Sequence, residues 1–376
     1  PGNGANVKMQ GDFITNSSLG TYSDAVLNFN GYEGTLNEID TYNSGNLVLD
    51  PGSIINFTST DGFKQDSGGS DRSYITASGE AAAIMNPGGG ASDTGDYITI
   101  PENAVLNPST AITISVWLYP TGDPASLTMN PVSKYTPQTY SLEIGPSVPA
   151  GGYVYVDGDT RRISVGSGDR PAQNQWVHMM MTYDSAAGPN YGNIWLNGIQ
   201  KTISTQVPGG LGSYTIASGT GALLLGGWSN TYRGQDMRGR MADVRIYNTA
   251  LTSGNAVTLA SINPATEASG TYADPDNDLG AVGWWKLNGT ALGTLDMTDS
   301  VASNDGAAVG NTKSGFVTVT GSAGYKPMNN TYQDMTLTNT YMSGSQDIVV
   351  GQYMATSTPT ANTNAKFITK GTVVLD

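Results

Sequence analysis

At 376 residues the chain is long enough for two or three domains with a substantial core. Its 17 basic and 31 acidic residues leave a net charge of −14, which excludes nucleic acid as a partner and argues against an anionic membrane surface. With no cysteine and one histidine, His178, thiol catalysis, zinc–thiolate sites and nearly every Ser-His-Asp or metal–imidazole scheme fall away.

Only 13% of residues are charged, and Gly, Ser, Thr and Asn are abundant. Such residues make poor helices, because glycine is costly there and the short polar side chains compete for backbone hydrogen bonds. Short Val/Ile/Thr/Tyr runs punctuated by NG, DG, GG and PG pairs predict an all-β chain. No apolar run reaches the length of a membrane span, so no membrane insertion is expected.

Residues 1–60 read as a β-rich flank of short strands with Gly/Asn turns, among them Ala25 to Phe29, Asn46 to Leu49 and Ser53 to Phe57. Even spacing of this kind suits a β-solenoid, whose coils bury their apolar sides only by stacking on neighbours. Residues 61–95, rich in Gly, Ser and Asp, read as a linker with one short strand near Tyr74. Residues 96–310 form the central block. There Ile112, Ile114, Val116 and Leu118 alternate on one side of a strand, Gln175 to Asp184 suits a central strand, and Asn197-Gly198 marks a type I′ hairpin. Thr249 to Ile262 is expected to hold one short helical turn. Residues 311–376 form a second β-rich flank similar to 1–60.

The two flanks share a phrase. The chain closes on Gly371-Thr-Val-Val-Leu375-Asp376 and opens on Pro1-Gly2, while Gly45-Asn-Leu-Val-Leu-Asp50 runs into Pro51-Gly52. Joining the end of one copy to the start of another restores that string. Leu375, Asp376, Pro1 and Gly2 are therefore the expected junction between copies of the chain, whether in a tandem array or a head-to-tail filament.

Several side-chain groups merit a chemical reading. Glu38-Ile-Asp40-Thr-Tyr-Asn43 follows the ExDxxE strand of laminarinase-type enzymes, but Asn43 stands at the acid/base position. An amide cannot donate and retrieve a proton, so a non-enzymatic protein is expected. Asp274, Asp276 and Asp278 place three carboxylates at alternate positions, the start of a calcium loop, although Gly280 comes one residue late and Trp285 occupies the twelfth position. Ca²⁺ is the one cofactor these residues suggest. Trp228, Asn230, Tyr232 and Arg233 sit in a Gly-bounded loop where aromatic rings can stack on sugars and the polar groups reach hydroxyls; Tyr191 and Asn193 join them from a neighbouring loop. His178, between Val177 and Met179, is expected to be a packed strand residue.

The phrases DYITIP (96–101), ITISVWLYP (112–120), QWVHMMMTYD (175–184), IWLNGIQ (194–200), LLLGGW (223–228) and GRMADVRIYNTAL (239–251) resemble, in order and spacing, those of laminin-G-like, concanavalin A-like jelly-roll modules. GWWKLNGT (283–290) resembles a phrase that often opens such modules, so here it either closes a permuted sandwich or begins a further structure. The flanks resemble the β-solenoid stalk repeats of secreted bacterial adhesins or phage fibre proteins. These resemblances imply an antiparallel jelly-roll β-sandwich carried on a solenoid-like or small β domain built from both chain ends. They imply an extracellular or cell-surface adhesive subunit whose partners are glycans and copies of itself. The alternative is a phage or viral fibre or capsid-decoration protein with a receptor-binding lectin domain on the virion surface; a glycoside hydrolase on the same fold comes third.

Overall fold

The computed structural model describes residues 6–15, 19–22, 25–42, 45–66, 73–78, 80–85, 95–135, 137–156, 159–187, 191–206, 215–228, 235–262, 264, 279–288, 294–321, 325–328, 333–342, 352–353, 360–361 and 366–375. Both ends of the chain enter one twelve-stranded sheet in which every strand pair is parallel. Three rows of strands are stacked in it.

In the first row Asn6–Lys8 is followed by Val26–Asn28, Asn46–Leu49, Ser73–Ser78, the first half of Gln333–Met342 and the first half of Lys366–Leu375. In the second, Phe13–Ile14 is followed by the first halves of Glu33–Tyr42 and Ile54–Asp66, then Val317–Gly321 and the second half of Gln333–Met342. The third takes Leu19–Tyr22, the second halves of Glu33–Tyr42 and Ile54–Asp66, and Tyr325–Met328. Asn6, Val26 and Asn46 stand in line at steps of twenty residues.

Alternation along these strands explains why they hold. Leu27, Leu47, Leu49, Ile55, Phe57 and Val319 turn inward and form one buried cluster with Phe29, Leu36 and Ile39. Outward residues form polar ladders, Thr58 Oγ1 donating to Asn37 Oδ1 at 2.7 Å and Asn56 Nδ2 to Glu33 Oε1 at 2.7 Å. The Asp50-Pro51-Gly52-Ser53 string is a corner: the Ser53 N–H donates to the Asp50 carbonyl at 3.0 Å, and Gly52 takes φ +78°. Proline second and a positive-φ glycine third are the requirements of a type II turn.

Two expectations are corrected here. Residues 61–95 are not simply a linker, since they carry the end of Ile54–Asp66, then Ser73–Ser78 and Ala83–Met85. Parallel backbone pairing with neighbours on both sides tolerates the Asp, Lys and Gln side chains that make this stretch look loop-like. Nor do the two LVLD-like strings occupy equivalent places. Leu49 pairs with Ala77 in the first row, whereas Leu375 pairs with Met342 in the second. Asp376, Pro1 and Gly2 lie outside the described residues.

Between Ser73–Ser78 and Val317–Gly321 the chain leaves the stack and builds two antiparallel eight-stranded sheets. The first runs Ile199–Gln200, Gly192–Leu196, Val177–Asp184, Ala111–Pro120, Gly239–Tyr247, Ala83–Met85, Lys313–Ser314, with Ala281–Trp285 also on Gly239–Tyr247. The second runs Ile203–Gln206, Asp159–Val165, Gly151–Val156, Tyr140–Ile144, Met129–Lys134, Leu223–Leu225, Tyr97–Ile100, Ala307–Val309. Ile112, Ile114, Val116, Leu118, Met179 and Met181 of the first sheet meet Ile98, Val132, Leu142, Val154 and Leu225 of the second in one buried core. The fold is a jelly-roll β-sandwich. The Gly283-Trp284-Trp285 phrase lies inside it, pairing with Val244 to Ile246, so it closes the sandwich rather than starting another unit. The sandwich also reaches past both expected limits, to Ala83 at one end and Ser314 at the other, because these strands pair with each other and with Gly239–Tyr247.

Turn and helix expectations hold locally. Asn197 and Gly198 take φ +51° and +76° in the tight hairpin. Ser253–Leu259 is the helical turn, capped by Thr252 and Asn255, and it lays Ala256 and Leu259 over Met180, Trp195 and Tyr247.

Candidate functional site

The outer side of the second sheet carries the chemistry. Along Tyr140–Ile144, Tyr140, Leu142 and Ile144 enter the core, so Ser141 and Glu143 face away from it. Cross-strand register then lines up Ser133, Ser141, Tyr153 and Arg162 on that outer side. Tyr155, two residues along from Tyr153, shares the side, and the two rings lie 6.5 Å apart at 24°. Trp228 closes one end. Its ring packs on Tyr135 with centroids 4.4 Å apart, and its carbonyl accepts from Ser133 Oγ at 2.8 Å. Four aromatic rings thus surround a strip of small and polar residues.

Beside the rings lie polar atoms without a hydrogen-bond partner. Glu143 is 7% exposed and makes no hydrogen bond or ion pair among the described residues. Burial pushes its carboxyl from 4.5 up to about 7, partly opposed by the Arg162 guanidinium. The same desolvation, reinforced by Glu143, raises the Tyr153 phenol; Tyr155 is raised by desolvation and by its neighbours Tyr135, Tyr153 and Glu143. Ser141 Oγ and Arg162 Nε are also buried without a hydrogen-bond partner, although Arg162 Nη2 donates to the Ser147 carbonyl. Buried polar atoms in native proteins are nearly always satisfied by protein, water or ligand. A carboxyl, a hydroxyl and one guanidinium nitrogen, Arg162 Nε, thus stand together beside aromatic rings without a hydrogen-bond partner.

The arrangement does not supply a hydrolytic pair. Glycoside hydrolysis takes two carboxyl groups flanking one bond. Glu143 has no second carboxylate on its side of the sheet among the described residues; Glu102 is held by Lys134 instead. Glu38 and Asp40 belong to the stacked sheet, in Glu33–Tyr42, and Asn43 lies outside the described residues. On the other sheet Ser115 Oγ and His178 Nε2 share a hydrogen bond of 2.8 Å, superficially a nucleophile and base. Both are fully buried, His178 Nδ1 has no partner, and desolvation holds the imidazole down at about 3. Asp243 turns instead to Arg245 at 2.9 Å and Trp284 Nε1 at 2.7 Å. The pair is core structure, as the sequence position suggested.

The residues expected to bind ligand are scattered. Trp228 is in the aromatic group. Tyr191 is not: it is buried in the core with its ring 5.5 Å from Tyr183. Asn193 accepts from Gln200 Nε2 at 2.9 Å within the hairpin of the opposite sheet. Tyr191 fills the space between the two sheets and Asn193 lies on the first sheet's hairpin, so neither joins the aromatic group on the outer side of the second sheet. Asn230, Tyr232, Arg233, Asp274, Asp276 and Asp278 lie outside the described residues. Among the described residues no cluster of three or more His, Asp or Glu forms a metal-binding group. Tyr135, Glu143, Tyr153, Tyr155 and Arg162 were missed. The signal for two of them was present in Gly151-Gly-Tyr-Val-Tyr-Val156, where valines alternate with tyrosines on the opposite side of one strand.

Residues 92–255 match the family described as the Concanavalin A-like lectin/glucanases superfamily, of laminin-G type. No curated protein sequence matches the chain. Among solved structures, a heptameric SAP-like pentraxin from Limulus polyphemus is 14% identical, over 48% of this chain and 82% of that one, with a TM-score of 0.37. A Bacteroides ovatus protein assigned to carbohydrate binding is 17% identical, over 61% of this chain and 59% of that one, at a TM-score of 0.41. Domains LG4-5 of the mouse laminin alpha1 chain are 9% identical, over 46% of this chain and 44% of that one, at 0.33. The chain spans less than two thirds of the last two.

Proposed function

From the match of residues 92–255 to the laminin-G-like, concanavalin A-like family, we propose that the sandwich is a non-enzymatic glycan-binding head, displayed by a structural subunit outside the cell. The observation that carries this is the group of Tyr135, Tyr153, Tyr155 and Trp228 around Glu143 and around Ser141 Oγ and Arg162 Nε, two buried atoms without a hydrogen-bond partner. Aromatic faces take the C–H sides of sugar rings, and the open polar groups take hydroxyls. A lone carboxyl supports binding over hydrolysis. The test is a glycan array with the full chain and with Tyr155→Ala and Trp228→Ala. Binding lost in both variants supports the reading; binding unchanged in both overturns it. Turnover of a β-glucan abolished by Glu143→Gln would make the protein a hydrolase.

The stacked sheet supports a second element of the proposal. Its first three strands in line recur at steps of twenty residues, as a β-solenoid's coils do, and described strands from both ends of the chain belong to it. Among the described residues Asn6–Lys8 and Lys366–Leu375 each pair on one side only, and Val7 and Ile14 are exposed at 38% and 82%. Open parallel edges invite another chain unless something covers them. A second copy stacking there gives a filament or tandem array of adhesive subunits. The proposal rests on the edges, not on the repeated LDPG string. Electron microscopy at micromolar concentration checks it: filaments with one sandwich per axial repeat are expected, and closed trimers would favour the phage or viral fibre reading. Calcium at Asp274, Asp276 and Asp278 belongs to the same proposal; calorimetric titration with CaCl₂, with Asp276→Asn as control, tests it. No helix among the described residues is long and apolar enough to cross a membrane.

A further inference from the structure

A cavity of about 430 Å³ lies where the stacked sheet meets the sandwich, and none of the aromatic group of the outer face lines it. Its size falls in the range of small-molecule sites. From the stack come Lys8 and the two corner turns, Asn30-Gly31 and Asp50-Pro51; from the sandwich come the ends of three strands, at Met85, Tyr119 and Gly239-Arg240, with the Asn174 turn.

Four of these residues hold the left-handed backbone: Asn30 at φ +53°, Gly31 at +79°, Asn174 at +58° and Gly239 at +142°. Asparagine takes that conformation more readily than other residues with a side chain, and its surroundings hold it. Here the surroundings are hydrogen bonds, Asn30 N–H to Asn28 Oδ1 at 2.7 Å and Asn174 N–H to the Pro120 carbonyl at 2.7 Å. The cavity wall is therefore preset, not a gap left by loose packing.

Its chemistry is specific. Pro51, Ile84 and Met85 make an apolar patch, the last two almost fully buried. Around it stand acceptors and donors with spare capacity. The Asp50 carboxylate, the Lys8 amine and the Asn174 amide have no side-chain partner among the described residues. Arg240 lies 4.3 Å over the Tyr119 ring and is already neutralised by Glu80 at 2.6 Å. Lys8 and Asp50 cancel. The lining side chains thus carry no net charge, and the adjacent Lys313 amine, held by the Gly31 carbonyl, is offset by Asp12 and Glu33; with both donors and acceptors and one apolar side, the cavity suits a neutral ring bearing hydroxyls on its rim.

We infer that this junction cavity is a separate site for a single neutral sugar residue. It is independent of the outer aromatic face, so the two can be told apart. The experiment is saturation-transfer NMR on the full chain with millimolar methyl glucoside, methyl galactoside, methyl mannoside and methyl glucuronide. At least one neutral glycoside gives transfer, the glucuronide gives less, and the signal survives in the Tyr155→Ala/Trp228→Ala double variant. The signal falls severalfold in Asp50→Ala and in Asn174→Gly, the second of which removes the amide while keeping a residue at ease with positive φ. Circular dichroism confirms that each variant is folded. Should Asp50→Ala fail to fold, Asn174→Gly alone decides. No transfer from any neutral glycoside overturns the site, as does transfer unmoved by the cavity variants. A preference for the glucuronide overturns the charge argument on which it rests.

Discussion

Replacing Glu143 by glutamine separates a ligand-facing, unpaired carboxyl from an ordinary structural one. In the folded chain this acid titrates at about 7 instead of 4.5, because burial penalises its charged form. A raised pKa on an acid means that the folded state binds the proton more tightly than the unfolded state. Below about pH 4.5 the group is protonated in both states and costs nothing. As pH rises from 4.5 through 7 the unfolded state ionises freely and the folded state does not, so stability is lost across that window and stays lost above it. About 2.5 pK units at 1.36 kcal/mol each give a penalty of about 3 kcal/mol at pH 8. Glutamine keeps the shape and removes the ionisation. Urea unfolding near pH 4 is expected to give equal stabilities for wild type and Glu143→Gln, and near pH 8 to favour the variant by up to about 3 kcal/mol. A difference independent of pH, or a variant less stable at pH 8, would show that Glu143 is a satisfied carboxylate and would refute the reasoning.

Other sites give sharp expectations of their own. Asp243→Ala strips the fully buried Arg245 of its ion-pair partner and Trp284 of its acceptor, and thermal melts are expected to show a loss of about 3–5 kcal/mol. An unchanged melting temperature would mean that water reaches the guanidinium. Gly226→Ala puts a methyl 2.1 Å from Met85 Sδ at a backbone φ of +84°, so calorimetry is expected to show a cost of about 1–3 kcal/mol. His178 is the one imidazole of the chain, and burial depresses it from 6.5 to about 3. Its ring-proton resonances are expected to stay constant between about pH 5 and 8, and its contribution to stability to be lost only as pH falls below about 6.5 toward 3. A midpoint near 6.5 would mean that the Ser115–His178 contact opens to solvent.

Much of the sandwich was readable because each of its devices is local. Ile112, Ile114, Val116 and Leu118 alternate into the core, Asn197-Gly198 makes the turn its residue types dictate, and Met179 to Met181 fill both sides of a strand buried on each. What pairs with what was not local, and there the reading failed. Lys64, Gln65 and Asp66 look like loop residues, yet they continue a thirteen-residue strand because backbone groups above and below bond to it regardless of side chain. Leu375 and Leu49 share a phrase but not a row, since recurrence of a string constrains composition and not coil position. The proposed binding side suffered most. Trp228 stood out for its loop setting, whereas Glu143 and Arg162 gain meaning only from being neighbours of Tyr153 on three adjacent strands. Tyr191 misled for the converse reason: an aromatic next to a polar turn is equally what a core residue at a strand's entry looks like.

The way the sandwich is inserted bears on what it can do. Its two connections leave and enter at one corner of the stack and hydrogen-bond to each other, Glu80 N–H to the Gly315 carbonyl at 2.9 Å and Gly315 N–H to the Ala82 carbonyl at 2.7 Å. Adjacent ends are what allow a domain to be inserted without distorting its host. A two-strand hinge alone would leave the head free to swing, but further contacts oppose that. The Lys313 amine reaches across to the Gly31 carbonyl, at a cost visible in its lowered pKa, and Gly52 sits so near Ile84 that a Cβ there would fall 2.5 Å from its Cδ1. The corner turns at Gly31 and Gly52 of the stacked sheet thus also brace the sandwich. Under the proposed stacking, a second copy at the open edge would repeat the aromatic side at a fixed angle and interval. For a weak glycan site that is the useful geometry, because multivalent contact gains strength only when spacing allows simultaneous engagement. Gly52→Ala, which disturbs this brace while leaving Trp228 and Tyr155 untouched, is accordingly expected to weaken binding to a dense glycan surface more than binding to a soluble oligosaccharide. Equal loss on both, measured by surface plasmon resonance and by calorimetry, would assign the brace to stability alone.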